Sequence, residues 1–218
     1  FSIIWSISII TFCGLIMIKL FNKDCLSAMI QMPDNFFDLA IVDPPYGIGN
    51  WVQTTGNVRG KAIKWNNNIP PKKYFIELQR VSKHRIIWGA NYFNCFEKDH
   101  GAVIWNKRVP EKSNFSQCEI ASTTLHKRVV CIDLIWQNIN RTEHTIHPCQ
   151  KPIALYNWLL NKYAKKNYRI LDTHLGSGSS AIASYDYGCE FYGYEIDKNY
   201  FSLAKKRLNN HKKQIKIF

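Results

Sequence analysis

The stretch Arg169-Ile-Leu-Asp-Thr-His-Leu-Gly-Ser-Gly-Ser-Ser180 decides the fold that this sequence predicts. A short apolar run leads into a turn with two glycines and then into a helical pattern, which gives the order strand, turn, helix. Glycines allow the backbone of such a turn to approach a ligand closely and to direct free amide groups at it. Because Gly-x-Gly turns are common in α/β proteins, this stretch alone does not identify the ligand.

The next predicted strand adds an acid to this turn. Phe191-Tyr-Gly-Tyr-Glu195 is a β-rich run that ends in a carboxylate. Its distance from the turn, about 20 residues, is typical of acids that bind ribose hydroxyl groups. The turn and the acid together predict a site for a nucleoside cofactor. A dinucleotide oxidoreductase is disfavoured because the turn lacks the Gly-x-Gly-x-x-Gly pattern.

The rest of the chain alternates short β-rich runs with amphipathic helical stretches, which is typical of a doubly wound α/β sheet. No internal repeat or low-complexity block interrupts the pattern. We predict strands at residues 17–22, 37–42, 84–89, 102–106, 118–123, 168–172 and 190–195, and helices at 74–81, 153–164, 179–187 and 199–211.

The cofactor half of this fold comes last in the chain, and no strand follows its final helix, Asn199 to His211, to complete the sheet. Ile18 to Phe21 can supply the missing strand. In that case the sheet closes as a circular permutation, and Asp24 lies at the carboxyl tip of the strand, beside the adenine of the cofactor.

A second motif, Asp43-Pro44-Pro45-Tyr46, follows the apolar run 39–42 and is predicted at the carboxyl end of a buried strand, where open α/β sheets bind ligands. The amino group of adenine is a poor nucleophile because its lone pair is delocalised into the ring. The Asp43 carboxylate and the Pro44 carbonyl can accept both amino hydrogens and localise that pair, while the prolines keep the carbonyl extended. Tyr46 offers a flat face for stacking a base. The alternative is that Pro-Pro ends the strand and Asp43 caps the turn.

Composition favours a polyanionic partner. The chain has 218 residues, of which 46% are hydrophobic, and 29 Lys and Arg against 16 Asp and Glu give a formal net charge of +13. This suits one α/β domain whose first candidate partner is nucleic acid. Seven scattered cysteines without a Cys-x-x-Cys pair argue against a disulfide framework and fit a reducing cytoplasm. His144, His147 and Cys149 have crude metal-ligand spacing without a fourth ligand nearby, so we predict no metal.

Taken together, the motifs resemble those of adenine-specific DNA methyltransferases of the permuted class, in which the catalytic motif precedes the cofactor motif, especially small phage and bacterial ones. The resemblance covers residues 17–218. It rests on several motifs in a fixed order: Asn22-Lys-Asp-Cys25, Asp43-Pro-Pro-Tyr-Gly-Ile48, Lys64-Trp65, Ile86 to Phe93, Cys118-Glu119, His147 to Pro152, Leu171 to Gly178 and Gly193 to Asp197.

The resemblance implies a Rossmann-like, S-adenosylmethionine-dependent fold that methylates N6 of a flipped adenine in double-stranded DNA, as in restriction-modification systems. It implies Asp43, Pro44, Pro45 and Tyr46 as catalytic residues. For the cofactor it implies Asp24 and Cys25 near the adenine, Glu195 on the ribose, Asp172, Gly176, Ser177 and Gly178 around the methionine moiety, and Lys151 on its carboxylate. For Lys151 a solvated surface lysine is the alternative.

We divide the chain into an apolar leader at residues 1–16 and a single methyltransferase domain at 17–218. The leader is uncharged, short for a membrane span and without the features of a signal peptide, with an anchor or a packed helix as alternatives. Two polar, basic segments, 47–73 and 127–146, are predicted as substrate loops. The second is small for target recognition, which is compatible with a short recognition site, a homodimer or relaxed specificity.

The loop 47–73 carries the residues that we predict to contact DNA, since their mixture suits phosphates and bases. They are Arg59, Lys61, Lys64 and Trp65. A packed lid is the alternative for this loop. Two departures from the family pattern are Asn66, where an acid often follows the tryptophan, and Ala121 to Thr124, where relatives tend to carry a tryptophan and a serine.

Two other functions stay open at this point. The same fold and cofactor serve methylation of the cytosine N4 amino group or of RNA, and Asp rather than Ser before Pro-Pro-Tyr favours adenine. A non-catalytic nucleic-acid-binding module is the other class, and it is disfavoured because Asp43 is present.

Overall fold

A computed structural model describes residues 17–49, 51–52, 62–63, 65–96, 98–113, 115–135 and 145–214, and of residues 51–52, 62–63 and 65 it describes the backbone alone. The elements in chain order are β1 Ile18–Phe21, α1 Cys25–Met29, β2 Phe37–Val42, β3 Trp51–Val52, β4 Ala62–Ile63, α2 Lys72–Val81, β5 Ser82–Trp88, α3 Ala90–Phe93, β6 Gly101–Asn106, β7 Cys118–Thr123, β8 Val129–Asp133, α4 Ile153–Tyr163, β9 Arg169–Asp172, α5 Ser179–Tyr187, β10 Glu190–Tyr194 and α6 Lys198–Lys213.

Among these residues, eight strands form one sheet in the order β1-β10-β9-β2-β5-β7-β6-β8, and β3 and β4 form a separate antiparallel pair. The five strands from β1 to β5 in this order run parallel, and β7 runs antiparallel to both β5 and β6. The predicted α/β doubly wound class is therefore confirmed.

The circular permutation is confirmed by the register of β1. Ile18 pairs with Phe191 and Phe21 with Tyr194 in a parallel ladder, so the strand near the start of the chain completes the cofactor half of the sheet. Asp24 follows at the carboxyl tip of β1, as predicted.

Helices cover both faces of the sheet, because alternate residues of β2 are buried in two different cores. Leu39 and Ile41 belong to the core under α4, α5 and α6, whereas Ala40 and Val42 belong to the core under α1 and α2. Alternate residues of a strand point to opposite faces, and a strand covered on both sides is apolar throughout.

Local signals set the starts of the helices. Asp24 caps α1 and Asp197 caps α6 by accepting backbone N–H groups with their carboxylates. Pro71 and Pro152 precede α2 and α4, and α5 lies between Gly178 and Gly188, both in the left-handed region.

The prediction of a loop over the whole of 127–146 is wrong, because Val129–Asp133 forms β8, which pairs with β6 at the edge of the sheet. The run is short and follows two basic residues, and Val129 is 68% exposed, so the strand lacks the continuous apolar pattern of a central strand. The predicted loop 47–73 likewise contains β3 and β4, and its last two residues belong to α2. The short helices α1 and α3 were also not predicted.

The predicted leader at 1–16 lies outside the described residues. Among the described residues, no helix is long and apolar enough to cross a membrane.

Candidate active site

The motif Asp43 to Tyr46 leaves the sheet at the carboxyl end of β2. Val42 pairs with Ile87 of β5, so the motif begins beside the end of that strand. The backbone N–H of Tyr46 donates to Oδ1 of Asn66 at 2.9 Å, and Asn66 is buried in the short turn Trp65–Asn67. Asn66, noted above as a departure from the family pattern, thus anchors the backbone of this motif.

Both oxygens of the Asp43 carboxylate have a donor. The Tyr46 hydroxyl donates to Oδ1 at 2.6 Å, and Nζ of Lys151 lies 2.5 Å from Oδ2. The side chain of Asp43 is 17% exposed and that of Lys151 only 5%. A carboxylate with a phenol and an ammonium group at these distances is held in one orientation.

A second carboxylate, Glu119 of β7, completes the cluster. Its Oε2 lies 2.9 Å from Nζ of Lys151 and accepts from the Tyr46 hydroxyl at 3.3 Å. Its Oε1 lies 3.3 Å from Nζ of Lys107. Two carboxylates and two ammonium groups therefore meet at the carboxyl end of the sheet, and their formal charges cancel. We refer to Asp43, Tyr46, Lys107, Glu119 and Lys151 as the catalytic cluster.

The pKa values in the cluster follow from burial and from these pairs. Burial raises the pKa of Asp43, which Lys151 counteracts. Burial would also raise the pKa of Glu119, but the ammonium groups of Lys151 and Lys107 together lower it. Burial would lower the pKa of Lys151, but the two carboxylates raise it above its ordinary value. The two carboxylates therefore favour the charged form of Lys151.

The ring of Tyr46 is packed against a neighbouring turn. It stacks on Tyr92 with ring centroids 4.9 Å apart and an interplanar angle of 16°, and Phe93 meets it edge-on. A Cβ added at Gly89 would lie 2.2 Å from Cε1 of Tyr46, and Gly89 has a φ of +74°. The backbone at Gly89 can approach the ring only because this residue has no side chain.

The glycine turn after β9 is held by a buried carboxylate. Oδ1 of Asp172 accepts from the N–H of His174 at 3.0 Å, and Oδ2 accepts from the Ser180 hydroxyl at 2.5 Å. Burial raises the pKa of Asp172 to about 7. Gly176 and Gly178 have positive φ values of 52° and 76°, and Ser177 between them is buried. The turn therefore has the backbone form that the sequence predicted.

Glu195 joins this turn to the end of β10. Its Oε2 accepts from the N–H of Gly176 and its Oε1 from the N–H of Asp197, each at 2.9 Å. Burial raises its pKa. The glycine turn and the acid, predicted as parts of one site, are thus brought into direct contact.

Helix α6 supports the turn from behind. The Arg207 guanidinium donates to the carbonyl of Ser177 at 3.0 Å and to the hydroxyl of Ser179 at 2.9 Å. A Cβ added at Gly178 would lie 3.1 Å from Cβ of Ala204. The close approach of α5 and α6 therefore depends on glycine at this position.

Asp24 and Cys25 stand at the tip of β1, next to the end of β10. Oδ2 of Asp24 accepts from the N–H of Ser27 at 2.8 Å and from its hydroxyl at 2.7 Å. These hydrogen bonds outweigh burial and lower the pKa of Asp24. Cys25 is buried in the core, where its thiol pKa is raised to about 12. Two carboxylates, Asp24 and Glu195, thus follow adjacent parallel strands beside the glycine turn, and together they form a set of hydrogen-bond acceptors that fits the hydroxyl groups of a nucleoside.

The segment 147–151 links the two halves of the site. A Cβ added at Gly176 would lie 3.6 Å from the His147 ring, which meets Tyr200 of α6 edge-on at 4.5 Å between centroids. Four residues later, Lys151 reaches Asp43. The alternative of a solvated Lys151 is wrong, and its role in holding the methionine carboxylate stays a prediction.

Some predicted residues fall outside this geometry. Arg59, Lys61 and Lys64 lie outside the described residues, and of Trp65 the backbone alone is described. His144 also lies outside them. Within the described ranges, no group of three or more His, Cys, Asp or Glu side chains is placed to hold a metal ion, and the cysteines there are all free thiols.

Sequence reasoning missed the partners of the motif residues. Glu119 and Tyr92 approach Tyr46 only through the register of β7 and the turn after β5, Lys107 reaches the cluster only through Glu119, and no spacing along the chain signals such contacts. Glu119 was available as part of the motif Cys118-Glu119, without a role attached to it.

Comparison with solved structures defines the class of this fold. The structure of the M1.HpyAVI–SAM complex superposes with a TM-score of 0.58 at 20% identity, covering 88% of this chain and 100% of that one. The cytosine-N4-specific PvuII DNA methyltransferase superposes with a TM-score of 0.59 at 7% identity, over 88% and 90% of the two chains. The architecture is that of S-adenosylmethionine-dependent DNA methyltransferases.

Sequence comparison gives the family. The type II methyltransferase M.BglII of Bacillus subtilis is 22% identical over 88% of this chain and 69% of its own length. M.ScaI of Streptomyces caespitosus is 23% identical over 88% and 81%. The DNA methylase family model for N6 and N4 enzymes matches residues 60–206. The chain belongs to this N6/N4 DNA methylase family.

Proposed function

We propose that this protein transfers a methyl group from S-adenosylmethionine to the N6 amino group of adenine in double-stranded DNA. The observation that carries the proposal is the placement of Asp43. Asp43 directly follows β2, which pairs with β9. The glycine turn directly follows β9, so both lie at the same edge of the sheet. Ligands of open α/β sheets bind at such carboxyl ends.

The cofactor supplies an electrophilic methyl group: the amino lone pair forms the new N–C bond, and the electrons of the C–S bond leave with sulfur. Asp24 and Glu195 would hold its nucleoside part, and the glycine turn at 176–178 would lie along its methionine part. Two carboxylates in this place suit ribose hydroxyl groups, which donate hydrogen bonds.

Asp43 and the Pro44 carbonyl would accept the two hydrogens of the adenine amino group and so localise its lone pair. A preorganised acceptor stabilises the positive charge that develops on this nitrogen in the transition state. One N–H proton then passes to Asp43, whose pKa is raised by burial. A raised pKa brings a carboxylate closer to the range of an effective base.

The target base would reach Asp43 by leaving the DNA stack. Enzymes that act on a base in a duplex flip it into a pocket. The flip costs about a few kcal/mol, and stacking of the base in the pocket recovers part of this cost. Tyr46 is the proposed stacking surface. Because Tyr92 already stacks on this ring, a base that enters on the same face displaces Tyr92. The formal net charge of +13 supports binding to the phosphate backbone.

Cytosine N4 is the second candidate acceptor, because the family and the solved structures include cytosine-N4 enzymes. Both reactions methylate an exocyclic amino group and need the same two acceptors. Asp before Pro-Pro-Tyr supports adenine.

The test is to incubate the protein with labelled S-adenosylmethionine and mixed-sequence duplex DNA, digest the DNA to nucleosides and identify the labelled one. We expect N6-methyladenine. N4-methylcytosine would contradict the proposed acceptor and keep the catalytic geometry. Label in a parallel RNA sample, with none in DNA, would contradict the proposed partner.

A further inference from the structure

Each oxygen of the Asp43 carboxylate already has a partner before any base arrives. One oxygen accepts from the Tyr46 hydroxyl at 2.6 Å, and the other lies 2.5 Å from the Lys151 ammonium. An amino group that donates to Asp43 must therefore share it with a phenol and a cation. A cation so close also opposes the positive charge that methyl transfer develops on the amino nitrogen.

Glu119 offers an acceptor to both of these donors. Its Oε2 lies 2.9 Å from Nζ of Lys151 and 3.3 Å from the Tyr46 hydroxyl. Each donor can therefore shift towards Glu119 when the base approaches, without leaving a buried hydrogen-bonding group unpaired. An unpaired buried polar group would cost about 1–3 kcal/mol.

The sheet fixes Glu119 in this place. Trp105 pairs with Glu119 across β6 and β7, and the N–H of Lys107 donates to the carbonyl of Gln117 at 2.8 Å. The Lys107 ammonium holds the other oxygen of Glu119 at 3.3 Å. As a result, Oε2 faces Lys151, and Glu119 has little freedom to follow the substrate.

Glu119 also balances the charge of the catalytic cluster. With Glu119 ionised, two ammonium groups face two carboxylates. Without it, Asp43 alone would face Lys151 and Lys107, and the cluster would carry a net charge of one positive unit. The interaction between such charges is strong where side chains are 5% to 23% exposed.

We propose that Glu119 is a positioning residue for methyl transfer: it binds Lys151 and compensates its charge, so that the Asp43 carboxylate stays available to the amino group of the target base. This inference rests on the proposed function of Asp43 and adds a role to a residue outside the motif Asp43 to Tyr46. Glu119 acts through Lys151 and Tyr46.

The first experiment compares Glu119→Gln with the unaltered protein. We expect kcat at saturating DNA and S-adenosylmethionine to fall about 10- to 100-fold. The Kd of the cofactor should stay within about twofold, because the partners of Glu119 among the described residues are Tyr46, Lys107 and Lys151 rather than the glycine turn. Glu119→Asp, which restores the charge, should recover part of kcat.

The second experiment separates this role from that of a structural ion pair. In Glu119→Gln/Lys151→Met the uncompensated ammonium is gone. At S-adenosylmethionine concentrations that saturate the double variant, which offset any loss of the predicted contact of Lys151 with the methionine carboxylate, we expect a kcat at least about fivefold above that of Glu119→Gln alone, a coupling that a double-mutant cycle measures. Lys107→Gln is the matched control, since it breaks the other ion pair of Glu119, and its loss in kcat should be smaller than that of Glu119→Gln.

Three results would overturn the inference. One is a normal kcat per folded molecule in Glu119→Gln together with a lowered Tm, which is the signature of a structural pair. Another is a double variant no faster than Glu119→Gln. The third is a loss in Lys107→Gln equal to that in Glu119→Gln. A wild-type enzyme that methylates cytosine would contradict the proposed acceptor and leave this test intact, since the same amino chemistry is measured.

Discussion

The two halves of the site are built in different ways. Around the glycine turn, Asp172 and Glu195 accept backbone N–H groups, and each carboxylate fixes the shape of the main chain. In the catalytic cluster, the carboxylates of Asp43 and Glu119 face the ammonium groups of lysines. The first half is therefore formed by backbone bonds that need not change when a ligand binds. In the second half, the hydrogen bonds and ion pairs join side chains to one another. A base that is to bind Asp43 must therefore replace some of these partners.

The largest effect should come from removing the acceptor that only the catalytic half contains. We expect Asp43→Ala to lower methylation by more than about 10³-fold, because the amino lone pair is no longer localised. Binding of S-adenosylmethionine should persist, since the glycine turn is untouched. Scintillation counting of labelled DNA and calorimetric binding measure the two properties. Retained turnover would defeat the proposed mechanism.

A smaller effect should follow from moving Tyr46. Alanine at Gly89 places a Cβ 2.2 Å from the Tyr46 ring, and we expect kcat to fall about 10- to 100-fold with the cofactor Kd unchanged.

The matched control is Gly49→Ala. Gly49 also has a positive φ, +90°, but a Cβ there meets none of the described residues within 4 Å. Both variants carry the backbone strain of a left-handed alanine, about 1–2 kcal/mol. The Gly49 N–H donates to the carbonyl of Asn66, so this control also lies close to the motif, and the difference in kcat reports on the added contact with the Tyr46 ring. Equal activities of the two variants would show that the position of this ring does not matter.

A substitution beside the glycine turn should change the Kd of the cofactor rather than kcat. Glu195→Gln leaves one of the N–H groups of Gly176 and Asp197 facing an amide NH2, and we expect the Kd of S-adenosylmethionine to rise about 10-fold. At saturating cofactor, kcat should change little. Glu190→Gln, at the start of the same strand, alters a carboxylate paired with Lys19 and serves as the control. An unchanged Kd in Glu195→Gln would remove this residue from the cofactor site.

The smallest effect concerns the dependence of stability on pH. Burial lowers the pKa of His174 in the glycine turn from 6.5 to about 4, although Asp24 opposes the shift. Between these values the unfolded chain binds more protons than the folded one, so this residue makes the free energy of unfolding rise with pH. Removing it in His174→Phe should reduce the gain between pH 5 and pH 7 by about 1–2 kcal/mol.

Urea unfolding at the two pH values measures that gain. Equal gains in His174→Phe and in the unaltered protein would show that His174 is not held neutral in the fold.

A structural feature can be predicted from the sequence when the contacts that determine it lie between residues close together in the chain. The turn at 169–180 and the motif at 43–46 carry their structure in adjacent residues, and the missing third strand followed from counting strands. The positions of Asp24, Asp43 and Glu195 at strand ends were therefore predictable. Their roles towards ligands stay predictions.

The rest depends on register between distant segments. Nothing near Glu119 in the chain indicates that β7 places it against Lys151, and a shift of one residue in a strand would turn that side chain to the other face. The exposed edge strand β8 was not predicted for a related reason. An edge strand is covered by fewer neighbours than a central one, so it needs fewer apolar residues.

The pairing of β1 with β10 also has a consequence for how the chain folds as it is made. Ile18 meets Phe191, 173 residues further along the chain, and at about 5–20 residues per second the ribosome needs roughly 9 to 35 s to synthesise that interval. During this time β1 has no partner in the sheet, and closing so long a loop adds an entropic cost that slows folding. The tips of β1 and β10, which carry Asp24 and Glu195, are therefore brought together from two segments that are synthesised far apart in time, and they can meet only after β10 has emerged.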